Sequence, residues 1–453
     1  MASTHLTRTI SSTSTPTKLT CSFWVKRTGL GSTQRVFSQD NDSSNRMYWR
    51  FDNNDVFSVW CETSGSTWGG GTTNMLFRDV GFWYHIVIKF DSTQSTSTDR
   101  FKMFVNGENI DNLGGWNSYT APTQNTTFGG FSSTNCKFDL GYQRAGTNEY
   151  FDGILSHVHV TDGYAYDASS FGSTDATTGE WKINTSPSVT YGTNGFFILK
   201  DGNSVTDQSP NSNNFTVGGG TLTKTEDNPS NVFATINPLY KKPQSNPSEL
   251  TNGNTGVIGG SAHRADVPTI AVNSGKWYME AKAISGSTTK WWWGLGKAEV
   301  LETKQNLGNT DNFIYGDVSG TQGVYDNNLK VDGSTPISSI FGGAVSANDI
   351  AMLAVDLDNQ KVWYGLNGTW NNGSASQSTT FNSSSPDSTA LTAGEYYYFG
   401  VGSENTKWHT NYGNGYFGTT QVSSAGTNAS GNGIFEYDVP TNFTALSTKG
   451  LNE

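Results

Sequence analysis

Apolar and polar residues alternate in short bursts along this chain. In LTCSFWVKR (19–27), Leu19, Cys21, Phe23 and Val25 alternate with Thr20, Ser22, Trp24 and Lys26, the period of two that sorts side chains onto opposite faces of a strand. RMYWRF (46–51), DVFSVWC (55–61), FWYHIVIKF (82–90), FKMFVNG (101–107), KFDLGYQ (137–143) and GILSHVHV (153–160) repeat it between clusters of Gly, Asn, Asp and Ser. The pattern resumes after Gly256 in KWYMEAKAI (276–284), KWWWGLG (290–296), IAMLAVDLD (350–358), QKVWYGLNG (360–368), EYYYFGVGS (395–403) and GIFEYDV (433–439). Many short strands at such spacing predict antiparallel sandwiches. Only DASSFG (167–172) and SANDI (346–350) offer short helical candidates.

Between the two blocks, residues 226–254 carry Pro229, Pro238, Pro243 and Pro247 and lose the alternation. They read as a semi-rigid connector. The expected architecture is all-β: two jelly-roll sandwiches, residues 1–225 and 255–453, joined by this proline-rich linker. One hairpin is written twice. IVIKFD (86–91) returns as FKMFVNG, and AMLAVD (351–356) returns as KVWYGLNG (361–368). The closing Asn-Gly predicts positive φ at a sharp reversal. Asp358-Asn359 suits a tight turn in the second copy, where the first has a longer loop. The repeat therefore marks the middle of two related sheets.

Composition sharpens this picture. Hydrophobic residues make up 34% of the 453, charged residues 15% and aromatics 13%, with 52 Gly. Disordered chains are poor in aromatics, so this is a folded chain with an aromatic and β-branched core. The net charge of −11 argues against nucleic acid and anionic membrane surfaces as partners. No stretch is long and apolar enough for a spanning helix, and MASTHLTRTISSTSTPTKLT has no signal-peptide core. Cys21, Cys61 and Cys136 show no metal or redox spacing. They read as small buried hydrophobes of a protein made in a reducing cytoplasm.

Candidate chemistry is sparse. Carboxylates that share a face and flank a glycosidic bond would sit two apart on a strand. ENID (108–111), EVLE (299–302) and TED (225–227) lack that spacing, and no G-x-S-x-G elbow is present, so catalysis is not expected. Stacking on sugar rings would use aromatics set among turn residues: Trp68, Trp116, Trp370 and Trp408, with Trp291 and Trp293 from the WWW run. His157 and His159 share one strand face, and Asp207, Asn211 and Asn213 could offer oxygens to Ca²⁺. Against these stand an outer-face or interface role for the histidines and turn building for the Asx residues. No cofactor is expected beyond that possible Ca²⁺.

The N-terminal block, through CSFWVKR (21–27), WYHIVIKFD (83–91), KMFVNGE (102–108) and LGYQ…YFDGILSHVHVTDG (140–163), resembles a laminin-G-like, concanavalin A-like lectin/glucanase domain. GFFILKDGNSVTDQSPNSNNFTV (195–217) is similar to the segment that opens such domains, yet it stands at the end, a permuted order that sandwiches tolerate. The C-terminal block resembles a SPRY domain through SGKWYMEAK (274–282), ANDIAMLAVDLDNQKVWYGLNG (347–368), YFGVGSENTKWHTNYG (398–413) and FEYDVPTNFTAL (435–446). TDGYAYDASSFG, TDQSPNSNN and DNPSNVFATINPL resemble phrases of marine bacteriophage virion-associated proteins.

That last resemblance implies a non-enzymatic virion protein, displayed on the particle as a tail or head appendage and binding host-surface carbohydrate. Its partners would be capsid, neck or tail proteins, and a homo-oligomer such as a trimer is implied. A decorating structural protein without glycan binding is the alternative, and a glycan depolymerase a third.

Overall fold

Alternation becomes two packed sheets in each of two units, Met1–Lys224 and Thr225–Glu453, in the computed structural model. The structure describes residues 3–143, 149–200, 204–240, 248–261, 264–286, 291–303, 319, 321–325, 328–373 and 377–452. The fold is all-β and overwhelmingly antiparallel.

In the first unit one sheet runs, edge to edge, Trp116–Thr120, Ser66–Leu76, Val56–Thr63, Asn45–Phe51, Gln34–Asp42, Lys137–Leu140, His5–Thr9 and Thr216–Gly219. The other runs Phe196–Ile198, Gly153–Asp162, Lys18–Arg27, Tyr84–Asp91, Phe101–Val105 and Glu108–Asn109. Leu19, Cys21, Phe23 and Val25 meet Phe37, Trp49, Phe57 and Val59 in one core. The terminal segment completes both sheets: Phe196–Ile198 pairs with 158–160, and Thr216–Gly219 pairs with His5–Thr9. Closing the unit with its own tail leaves the first strand paired on both sides, which removes an exposed edge there.

The second unit repeats the plan. Its larger sheet is ordered Glu249–Thr251, Gly256–Ile258, Lys407–Asn411, Lys276–Ser285, Ile350–Asp356, Lys361–Leu366 and Thr369–Trp370, with Thr444–Ala445 pairing parallel to Lys276–Ser285. The facing sheet holds Arg264–Asp266, Tyr397–Ser403, Trp292–Lys297, Thr321–Tyr325, Asn328–Val331 and Ser334–Ile337.

The connector expectation needs correcting along its described part. Ala234 and Ile236 enter the second unit's core, Phe233 bridges to Ser447, and Ile236 bridges to Pro268. Prolines broke the alternation without preventing burial, because isolated β-bridges need no continuous ladder. Pro243 and Pro247 lie outside the described residues. The helical candidates also shift. Ala168–Ser170 is a single 3-10 turn and 346–349 is non-helical, while AEVLET (298–303) forms a short α-helix with Leu301 buried.

The twin hairpins match in detail. Lys18 pairs Asp91 at 3.5 Å and Lys276 pairs Asp356 at 3.0 Å at the same register position. Asn106 and Gly107 have φ 48° and 84°, and Asn367 and Gly368 have 49° and 79°, the two positive angles of a primed turn. Asn106 Oδ1 accepts the His85 N–H at 2.8 Å, as Asn367 Oδ1 accepts that of Ile350 at 2.8 Å. At the other end the expected tight turn is a longer loop. Asp356 pairs with Lys361, so residues 357–360 form it, with Gln360 at φ 53°.

A third layer covers the outer face of each hairpin sheet. In the first unit Ala168, Phe171, Trp181 and Val189 pack with Val87 and Phe104. In the second, Phe435, Val439, Phe443 and Tyr437 pack with Tyr278, Met352 and Trp363.

Candidate functional site

Register alone assigns the outer face of the first unit's eight-stranded sheet, since directly paired residues point the same way. One cross-strand row reads Thr7, Asp139, Ser38, Tyr48, Trp60. A second reads Thr9, Lys137, Asp40, Arg46, Glu62, and a third reads Arg35, Arg50, Ser58, Thr72, Ser118. The intervening positions, Phe37, Trp49 and Val59, face the core. The face is thus a polar lattice with two large aromatics at its middle.

Tyr48 forms its floor at 7% exposure. The guanidinium carbons of Arg35, Arg46 and Arg50 stand 4.1, 5.3 and 5.7 Å from its ring centroid. Each arginine has its own carboxylate: Arg35 Nε donates to Glu149 Oε2 at 2.5 Å, Arg46 Nε donates to Glu62 Oε2 at 2.7 Å, and Arg50 pairs with Asp52. Burial lowers the Arg35 pKa, with the Arg50 charge adding to it and Glu149 opposing it. Arg46, Glu62, Arg50 and Asp52 keep 15–24% of their side chains exposed. Trp60 is half-buried beside Tyr48, and its indole N–H and Arg35 Nη1 are buried with no acceptor among the described residues. Tyr142 and Tyr150, both half-buried, stack at 4.9 Å, and His5 adjoins Tyr142 at 4.7 Å.

Such a surface can hold a polyhydroxylated ligand. Guanidinium N–H groups donate and carboxylate oxygens accept, so they match hydroxyls that do both. Catalysis has less to work with. Asp40 and Glu62 flank Arg46 in one row, and Glu62 is engaged by the Arg46 Nε at 2.7 Å.

The tryptophans expected to bind sugar distribute differently. Trp291, Trp293, Trp370 and Trp408 are buried at 2%, 0%, 2% and 0%. Trp408 donates its indole N–H to Gly402 O at 2.9 Å, and Trp293 donates to Met352 O at 3.2 Å. Burying a tryptophan removes roughly 150–250 Å² from water, on the order of 4–6 kcal/mol at about 25 cal/mol per Å²; that gain outweighs the turn context that marked them as exposed. Trp68 and Trp116 are half-buried and sit at one rim of the first core, Trp68 stacked on Phe128 at 5.1 Å and Trp116 against Phe101 at 4.9 Å. Tyr48 and Trp60 stand within strands rather than among turn residues, and the alternation in RMYWRF and DVFSVWC turns them away from the core.

The H-x-H pair is broken by a bulge between Ser156 and His159, where His157 adopts φ 48°. Both histidines are buried, at 8% and 2%, and His159 lies against Phe171 of the third layer at 5.2 Å. His159 stacks on Phe197 at 3.9 Å and bonds the Tyr191 hydroxyl at 3.0 Å, and His157 Nδ1 meets Ser156 Oγ at 2.7 Å. Asp207, Asn211 and Asn213 build a turn. Asp207 accepts from the backbone N–H of Phe197, Ser209 and Asn213, while Asn211 and Asn213 both donate to Gly195 O. Among the described residues no group of three His, Cys, Asp or Glu is placed to hold a metal ion.

Ser22 and His85 stand in hydrogen-bond contact at 2.9 Å, the look of a nucleophile and its base. Trp181 settles the roles. Its indole N–H can only donate, and it reaches His85 Nδ1 at 2.9 Å. The proton of His85 is therefore on Nε2 and is donated to Ser22 Oγ, so no lone pair remains to activate that hydroxyl. Burial, with a smaller contribution from His157, pushes the His85 pKa down to about 3. In the second unit Glu280 occupies the sheet position of Ser22, counted from Lys276 as Ser22 is from Lys18. It accepts from the Tyr278 hydroxyl at 2.9 Å and from the backbone N–H of Glu436 and Tyr437, both at 2.8 Å. Burial raises its pKa to about 7, against those hydrogen bonds.

No curated protein matches the chain significantly. Among solved structures, a heptameric SAP-like pentraxin from Limulus polyphemus is 14% identical at TM-score 0.29, covering 48% of this chain and 90% of that one. The SPRY domain of human HERC1 is 14% identical at 0.26, covering 36% and 91%. Mouse laminin alpha1 domains LG4-5 are 9% identical at 0.28, covering 98% and 84%. Likenesses this distant say nothing of ligand. Residues 2–170 match the family model of the concanavalin A-like lectin/glucanases superfamily, and that stretch contains Tyr48 and Trp60.

Proposed function

We propose that the first unit binds carbohydrate on the outer face of its eight-stranded sheet, and that the chain works by adhesion rather than catalysis. The observation that carries this is the lattice around Tyr48 and Trp60, where arginine–carboxylate pairs and half-buried aromatics share one face of a lectin-like sandwich. Support for a non-enzymatic role comes from Arg46 standing between Asp40 and Glu62 and from the spent His85 lone pair.

The setting we propose is the surface of a bacteriophage particle, on a head or tail appendage assembled in the host cytoplasm. Capsid, neck or tail proteins would be its neighbours and a trimer its assembly. That part rests on the phrases TDGYAYDASSFG, TDQSPNSNN and DNPSNVFATINPL. Glycan-array and whole-cell binding by the purified chain tests the reading. Saturable binding to bacterial surface polysaccharide without release of sugar is the expected result. Absence of binding would leave a decorating structural protein, and sugar release would make it a depolymerase.

A further inference from the structure

The charges on the Tyr48 face are already matched. Lys137, Arg35, Arg46 and Arg50 share it with Asp40, Asp139 and Glu62, and Asp52 and Glu149 close on it from loops. The acids outnumber the bases. Each arginine is held by a carboxylate through an ion pair, so an anionic sugar could bind only by displacing one and stranding it in a half-buried setting. That exchange gains no net ion pair and costs the desolvation of the displaced acid.

A neutral sugar needs no such exchange. Arg46 uses its Nε on Glu62 Oε2, and a guanidinium carries five N–H donors while a carboxylate offers lone pairs on both oxygens. Two hydroxyls of one pyranose can accept from the remaining Arg46 N–H groups and donate to Glu62 Oε1, bridging the pair.

Resting on the carbohydrate reading above, we infer that this face selects neutral glycans, whose hydroxyls bridge the Arg46–Glu62 and Arg50–Asp52 pairs, and rejects uronate-rich ones. The pairs act as the specificity device: they present donor and acceptor side by side while cancelling the charge that would attract acidic polysaccharide.

The test measures binding of the full chain to neutral oligosaccharides (glucan, mannan and galactan) and to uronate oligosaccharides (alginate and polygalacturonate). Measurements at 0.15 M and 0.5 M salt separate local exclusion from the general repulsion of a chain carrying −11, which salt screens within a Debye length of about 8 Å. A neutral ligand should bind at least tenfold more tightly than any uronate at both salts. Glu62→Gln should lose tenfold or more toward that neutral ligand and gain toward uronates, because Arg46 is freed. A gain cannot come from misfolding. Arg46→Gln should lose the neutral ligand without gaining uronates. Wild-type preference for uronates, or unchanged neutral binding by Glu62→Gln, overturns the inference and leaves the carbohydrate reading standing. Binding to neither class overturns both.

Discussion

Trp181 lies so close over Gly107 that a Cβ on that glycine would stand 2.4 Å from the indole ring. Tyr437 lies over Gly368 in the same way, 2.9 Å from the equivalent point. Both glycines close an Asn-Gly turn at positive φ, and both rings belong to the layer that covers the hairpin sheet. The duplicated hairpin is thus a docking seat as well as a scaffold, and only glycine leaves room for the ring.

Gly107→Ala and Gly368→Ala should each destabilise their own unit by about 2–3 kcal/mol. Roughly 1 kcal/mol comes from the left-handed conformation and the rest from displacing a packed ring. Calorimetry should show one of two transitions shifted down by several degrees in each variant. An unshifted transition would mean that the aromatic cover is not held by the seat.

Buried groups should give pH dependences of opposite sense, His85 and His159 in the first unit against Glu280 in the second, where His409, lowered to about 4 by burial, opposes Glu280. His85 and His159 have folded pKa values below the usual 6.5, driven by burial. Unfolding takes up their protons, so the first unit's stability is full above pH 6.5 and falls as pH drops toward 3. Glu280 is raised from 4.5 to about 7 by burial, so its contribution is full below pH 4.5 and is lost as pH climbs to 7. Tyr278, Glu436 and Tyr437 surround it, and Glu280→Gln should remove this contribution while leaving that of His409. Thermal scans of the wild type and Glu280→Gln between pH 4.5 and 7 check this, and identical pH profiles of the second unit in the two proteins would contradict it.

For His85 the expectation is a neutral ring protonated on Nε2 across pH 5–8. Nitrogen-15 NMR of the imidazole distinguishes the tautomers directly. Trp181→Phe keeps the ring but removes its N–H, leaving Nδ1 buried without a donor, at a cost of about 1–3 kcal/mol. An Nδ1-protonated ring would reopen a base role toward Ser22.

Substituting the interior tryptophans should report on folding rather than recognition. Trp408→Ala and Trp370→Ala should cost about 3–5 kcal/mol and lower the second unit's transition. Glycan affinity per folded molecule should stay unchanged. Trp60→Ala should do the reverse, with a small stability change and an affinity loss of tenfold or more by calorimetric titration.

The strand pattern carried the fold far. Leu19 to Val25, the H-x-H neighbours Val158 and Val160, and the Asn106 and Asn367 turns all stand where period and turn chemistry put them. Context among turn residues was a poor guide to exposure, because Trp370 and Trp408 reach back from turn-rich stretches into hydrophobic clusters. The connector failed for a related reason: a segment without alternation can still be buried through isolated bridges at Phe233 and Ile236. The third layers were hidden in two ways: Trp181 stands in no alternating stretch, while GIFEYDV alternates like a strand yet 433–439 forms no strand and covers Tyr278, Met352 and Trp363 instead. The Tyr48 face was legible in principle, as alternation puts Arg46, Tyr48 and Arg50 opposite Met47, Trp49 and Phe51. Its aromatics stand inside strands rather than among turn residues.

Hydroxyl-radical footprinting of the chain with and without a saturating neutral oligosaccharide tests the central claim most directly. Protection should concentrate on Tyr48, Trp60, Tyr142 and Tyr150, with Trp68 and Trp116 labelled equally in both states. Protection at Trp68 and Trp116, with the Tyr48 face unchanged, would contradict it.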